Sequence, residues 1–129
     1  MFLIYDTETT GLPKNWNAPL TDSENWPRIV QLAWQLHDEN GKLLSRGNRI
    51  VKPDGFTIPF QSMKVHGITT EIAQAEGMPL AEVIEEFNKD LVRATYVMGH
   101  NIEFDVSVLG AELHRLGQEF EPLTKKPSI

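Results

Sequence analysis

No cysteine occurs among the 129 residues, which excludes disulfide scaffolds, thiolate zinc sites and cysteine nucleophiles and is compatible with a reducing compartment. No stretch approaches the ~20 consecutive apolar residues that a membrane span requires. The opening MFLIYDTE also lacks the basic flank and small-residue cleavage site of a secretory signal. The expectation is a cytoplasmic protein with no membrane partner. Positive charge is scarce as well, with twelve Lys and Arg facing eighteen Asp and Glu for a net charge of −6. That balance argues against a protein that coats nucleic acid by neutralising phosphates, although bound metal ions can supply local positive charge to an acidic protein. What is present, 40% apolar and 23% charged residues, is the composition of one globular domain. It is long enough to bury roughly two-thirds of its unfolded surface without covalent staples.

Phe2-Leu3-Ile4-Tyr5 is a short apolar run without alternation and reads as a strand buried on both faces, leading straight into Asp6. Gly11 to Pro27 holds three Pro, three Asn and two Trp without periodicity, the pattern of a long irregular loop. Ile29 to Leu36 and Leu43 to Val51 read as strands joined by a hairpin turn at Glu39-Asn40-Gly41-Lys42. Pro53 to Gly67 reads as irregular, after which Thr69 or Thr70 can cap a short helix running to Gln74.

Leu80, Val83, Ile84, Phe87 and Leu91 make one apolar helical face, with Glu82, Glu85, Glu86 and Lys89 opposite. Tyr96-Val97-Met98 is a fourth strand. Asn101 can cap a last helix with the stripe Ile102, Val106, Leu109, Leu113 and Leu116, ended by Gly117. The order β-β-β-α-β-α implies an α/β layer structure: an antiparallel meander, then a right-handed crossover helix into a parallel strand. Glu121 to Ile129 leads toward a fifth strand.

Asp6-Thr7-Glu8 sits at the carboxyl end of the first strand, and residues two apart in a strand share a face with Cα atoms ~6.5 Å apart. Both carboxylates can therefore serve one ion or a pair of ions, although two solvated acids at a strand end would produce the same spelling. Asp105 falls three residues after Ile102 and four before Leu109, on the helix face that meets the core. A buried carboxylate there needs a cation, an arginine or free backbone NH groups.

D-T-E-T-T-G-L-P at 6–13, K-V-H-G-I-T at 64–69 and G-H-N-I-E-F-D at 99–105 resemble, in order and spacing, successive motifs of the DnaQ-like, or DEDD, 3′ to 5′ exonucleases. W-P-R-I-V-Q-L-A-W at the second strand extends the likeness over nearly the whole chain. Within the family the chain resembles the proofreading epsilon chain of bacterial DNA polymerase III and its stand-alone relatives. The resemblance implies a ribonuclease H-like fold and two divalent ions, Mg²⁺ or Mn²⁺, held by four acids. Three of these are here: Asp6 bridging the ions, Glu8 binding one and reaching the terminal 3′ hydroxyl, and Asp105 holding the other. It further implies that Thr7, Thr9, Thr10, Gly11 and Leu12 cradle the terminal nucleotide, with Leu12 as a wedge. Val65, His66, Asn101 and Phe104 would line the pocket for base and sugar.

The implied substrate is the 3′ end of single-stranded or frayed DNA, in preference to RNA, and the implied partner a DNA polymerase subunit. The alternatives are an exoribonuclease of the same family and an inactive nucleotide- or metal-binding fragment. The family's fourth motif, which supplies the general base and last acid, has no counterpart; His114 and Glu119 imitate its spacing only superficially. Residues 1–129 are accordingly expected to be the N-terminal portion of a single exonuclease domain, cut before its last strand and helix. Self-association through an uncovered sheet would follow. Trp16 and Trp26 are expected to anchor the long loop on the core, the acids of Glu82–Glu86 to face solvent, and Lys125-Lys126 to carry little.

Overall fold

The computed structural model describes residues 1–128. It runs β1 (Phe2–Thr9), β2 (Ile29–His37), β3 (Leu43–Ile50), α1 (Phe60–His66), α2 (Thr70–Glu76), α3 (Leu80–Leu91), β4 (Tyr96–Met98), α4 (Ile102–Arg115) and α5 (Glu121–Thr124). The four strands form one sheet in the order β3-β2-β1-β4, with β1 antiparallel to β2, β2 antiparallel to β3, and β4 parallel to β1. The meander, the crossover helix and the parallel strand are those expected from the sequence. Among the described residues no helix is long and apolar enough to cross a membrane.

The core lies on one face of the sheet. Leu3, Tyr5, Leu32, Trp34, Leu36 and Val97 meet Val83, Ile84, Phe87 and Leu91 of α3 and Val108, Leu109, Ala111 and Leu113 of α4. Tyr5 and Trp34 both set their rings edge-on to Phe87, with centroids 5.2 and 5.5 Å away. Asp90 of α3 is buried in the same layer, where its Oδ2 accepts from the Trp34 indole at 2.9 Å and the Ser45 hydroxyl at 2.8 Å. A smaller cluster of Val30, Ile58, Ile68 and Ala73 seats α1 and α2 at the end of β2.

The expectation that β1 is buried on both faces is corrected. Leu3, Tyr5 and Thr7 point into the core, whereas Ile4 is 40% exposed and Asp6 faces solvent. The run lacks apolar–polar alternation only because Phe2 and Ile4 lie on a face that none of the described helices covers. A second correction concerns 53–67, read as irregular. Phe60–His66 is a helix that buries none of its residues fully, so its sequence shows no apolar stripe; Gly67 ends it in the left-handed conformation.

Thr69 does cap the next helix, accepting from Ile72 N. Asn101 precedes α4 without a side-chain cap bond. Residues Glu121–Thr124 form a short helix. In place of the expected fifth strand the described residues show a single parallel bridge of Ser128 to Val97, with Val97 N donating to the Pro127 carbonyl at 3.0 Å. Ile129 lies outside the described residues.

Gly47 of β3 leaves room for the Trp34 indole, since a Cβ at that position would collide with its six-membered ring. Gly47→Ala is expected to cost about 1–3 kcal/mol through overpacking. The check is a lowered urea midpoint with an unchanged slope; an unchanged midpoint would show that Trp34 has room to move.

Candidate active site

β1 carries the acid pair out of the centre of the sheet. Asp6 lies opposite Ala33 and Glu8 opposite Gln31 on β2, so both carboxylates stand on the open face, as strand alternation requires. The ladder shifts register between Glu8 and Thr9, and the chain then leaves the sheet. Thr9 Oγ1 donates to the Gly11 carbonyl at 2.7 Å and accepts from Gly11 N at 3.3 Å, curling the segment over the strand end. Thr10 is held by a reciprocal backbone and side-chain pair with Arg28, both bonds at 3.0 Å, and its carbonyl accepts from Ser62 Oγ at 2.7 Å. That last bond brings α1, with Val65 and His66, to the same end of the sheet.

Thr7 points inward between the two acids and meets α4. Asp105, buried in the first turn of α4, accepts with Oδ1 from Thr7 Oγ1 at 2.6 Å and Thr7 N at 3.2 Å. Its Oδ2 is buried without a hydrogen-bond partner among the described residues. Gly99 permits this approach, because a Cβ there would stand 2.8 Å from the Tyr5 carbonyl and 3.4 Å from Asp105 Oδ2. Burial pushes the Asp105 carboxyl up to about 6; the Thr7 hydroxyl opposes this, the charge of Asp6 adds to it, the Thr7 amide opposes it, and the charge of Glu8 adds to it. The same burial, with the Asp105 charge, raises the Tyr5 phenol, whose hydroxyl is also buried without a partner.

The remaining candidates surround this centre. Leu12 is 72% exposed and Val65 83% exposed, so both present apolar surface to solvent. His66 accepts the Ile68 amide on Nδ1, which leaves its Nε2 as the protonated nitrogen, buried and without a partner among the described residues. Phe104 is half-buried beneath the Trp16 ring at a centroid distance of 5.6 Å, while the Asn101 carbonyl accepts the Phe104 and Asp105 amides. Trp26 anchors the long loop as expected, its indole donating to the Pro19 carbonyl; Trp16, half exposed on Phe104, does not reach the core. Lys126 donates to the Ala94 carbonyl and Lys125 pairs with Glu121. His114 packs against Phe120 at the far end of α4, about 13 Å along the helix axis from Asp105.

Among the described residues no three His, Cys, Asp or Glu side chains stand close enough to form a ready metal cage. The donor chemistry nonetheless fits a hard divalent cation: carboxylate oxygens only, one of them buried and open. Sequence reading missed two further buried acids, Asp90 and Glu112. Glu112 had a signal, because it stands one heptad after Asp105 on the same inward helix face. Asp90 had the same kind of signal, standing seven residues after Val83 and three after Phe87 on the apolar face of α3.

The RNase_T exonuclease family model matches residues 3–129, and the chain belongs to this DnaQ-like exonuclease family. It is 31% identical over 116 residues to the 3′-5′ exonuclease DinG of Bacillus subtilis (strain 168), covering 90% of this chain and 11% of that protein. It is 29% identical over 112 residues to the DNA polymerase III epsilon subunit of Treponema pallidum (strain Nichols), covering 87% of this chain and 46% of that protein. The chain thus spans less than half the length of either relative. Among solved structures, the zinc-ion-bound form of the E. coli ExoI–ssDNA complex superposes with a TM-score of 0.79 at 21% identity, over 99% of this chain and 27% of that one. That likeness shows the fold, which is ribonuclease H-like.

The raised Asp105 carboxyl sets a pH dependence. The folded state holds this proton more tightly than the unfolded chain, whose Asp titrates near 3.8. The stability it contributes is therefore full below pH 3.8 and lost as pH rises to about 6. Asp105→Asn keeps the acceptor for Thr7 and removes the titration. In metal-free buffer the variant is expected to gain stability relative to the parent between pH 4 and pH 7, measured by urea midpoints at both pH values. Parallel pH profiles would show that burial does not strain this carboxylate.

Proposed function

We propose that the chain is a metal-dependent exonuclease module that removes nucleotides from the 3′ end of single-stranded or frayed DNA. The observation that carries this reading is the half-satisfied carboxylate of Asp105: a buried oxygen without a donor, whose charge is opposed by Asp6 and Glu8. Clustered acids with an open oxygen are costly alone and favourable around a hard cation. Asp6 would bridge two ions, Mg²⁺ or Mn²⁺, with Glu8 holding one and Asp105 the other. No closed cage exists among the described residues, so cations would complete the site rather than fill a finished one. When bound, they would stabilise the attacking water and the leaving oxygen of an in-line displacement.

The chain's own residues exclude, orient and hold. Asp6 and Glu8 repel a polyanion until cations neutralise them. The curled segment Thr9–Leu12 would cradle the terminal sugar and phosphate, and the exposed Leu12 and Val65 would lie beside the base; the His66 Nε2 proton is buried without a partner among the described residues. In the reaction a P–O bond forms with water while the P–O bond to the upstream 3′ oxygen breaks, releasing a nucleoside 5′-monophosphate. The DinG relative supports the 3′ to 5′ direction, the ssDNA-bound neighbour supports DNA, and the epsilon relative supports a polymerase subunit as a partner.

Incubation with a 5′-labelled single-stranded DNA oligonucleotide and Mn²⁺ is expected to give a ladder of shortened products. Asp6→Ala should reduce its rate by at least about 100-fold, the upper range for losing a group that merely supports a metal ligand. No ladder from the parent chain overturns the proposal for this chain. Equal rates on a matched RNA overturn the preference for DNA.

A further inference from the structure

We infer that Glu112 is a positioning residue for the proposed exonuclease site, holding both the helix that carries Asp105 and the segment that cradles the terminal nucleotide. This inference rests on the functional reading above. Glu112 is completely buried, and both of its oxygens are engaged. Oε1 accepts from Arg28 Nε at 2.9 Å and Arg115 Nη1 at 2.6 Å, and Oε2 accepts from the Ile29 amide at 3.0 Å. Seven residues earlier on the same face, Asp105 grips the Thr7 amide of β1. One helix face therefore takes a backbone amide from each of two adjacent strands, at points about two helical turns apart.

The second grip reaches the loop through Arg28. The Arg28 amide donates to Thr10 Oγ1 while its carbonyl accepts the Thr10 amide, so the residue tied to Glu112 is also the residue that fixes Thr10. Arg28 is further confined by Phe56, whose ring centroid lies 4.5 Å from the guanidinium carbon. Arg115 extends the clamp in the other direction, donating to the Ser23 and Trp26 carbonyls at 2.7 and 2.6 Å. Loop ends at 10 and at 23–29 are thus gathered around one carboxylate.

Stability alone does not call for this arrangement. A buried ion pair contributes little net stability, and apolar residues of similar volume commonly replace such pairs without loss. What an apolar side chain cannot do is accept an amide from β2 and two guanidinium donors at once. The product of Glu112 is geometry: the register of α4 against the sheet, hence the depth of Asp105, and the position of Thr9–Leu12.

Two readouts test this on the full chain with Glu112→Gln and with Arg28→Lys, the latter serving if the former fails to fold. In amide hydrogen exchange, residues 9–12 should exchange about tenfold faster, with residues 3–5 of β1 and the α3 core unchanged. On a single-stranded DNA oligonucleotide, KM should rise about tenfold as Thr9–Leu12 loosens and kcat should fall about tenfold as Asp105 shifts, the range for losing a group that supports a metal ligand. Exchange that quickens everywhere in proportion to lost global stability, or an unaltered KM, would make Glu112 a purely structural residue and overturn the inference. A parent chain without nuclease activity would defeat the functional reading by itself; the exchange comparison would still decide whether Glu112 positions the segment.

Discussion

Helix α4 meets the sheet through carboxylates that accept backbone amides, and much of the site depends on that constraint. Hydrophobic packing of Val108, Leu109 and Leu113 brings the helix to the core face, but such contacts are non-directional and tolerate sliding. The amides of Thr7 and Ile29 do not, because each must point at an acceptor along a narrow range of angles. Packing thus supplies adhesion and the two acids supply register. Asp105 comes to lie beneath the strand that carries Asp6 and Glu8 for this reason, and Gly99 lets the chain after β4 run close to β1, since a Cβ there would stand 2.8 Å from the Tyr5 carbonyl.

The three buried carboxylates among the described residues differ in how completely they are satisfied, and the difference separates structure from chemistry. Asp90 accepts an indole and a hydroxyl, and Glu112 accepts two arginines and an amide. Neither has reason to hold anything else. Asp105 has one oxygen fully used and the other open, in a setting that raises its pKa. Burying a polar oxygen without a partner costs on the order of 1–3 kcal/mol. A sequence under no functional demand would relieve that cost with a donor, as it does at the other two positions.

The sequence made some of this visible and concealed the rest for physical reasons. The amphipathic stripe of α3 was plain, because its core face alternates against solvent at the helical period. Asp105 stood out as an acid inside an apolar stripe, and Asp6 and Glu8 as acids directly after an apolar run. The two-faced character of β1 was hidden, since Phe2 and Ile4 spell a buried strand although their face is open. Helix α1 was hidden because a helix that buries nothing fully carries no stripe; only its Pro59 start and Gly67 stop marked it. Glu112 shares the inward face of Asp105 and pairs locally with Arg115 three residues on, but its other partner, Arg28, lies 84 residues away, and an ion pair across that separation leaves no local pattern.

The alternation along β1 divides labour between the faces of the sheet. Leu3 and Tyr5 serve the core, and Thr7 passes the core's constraint to Asp105. Asp6 and Glu8, one step out of phase, place their charge on the open face, where water screens it. Shifting the strand by one residue would bury both acids and expose Tyr5 and Thr7, so the hydrophobic core enforces the orientation of the acid pair. The chemistry is thereby coupled to the fold at its most strongly specified point. A net charge of −6 is then no obstacle to handling a polyanion, because attraction is required only at the acids themselves, and there a divalent cation can reverse the local sign.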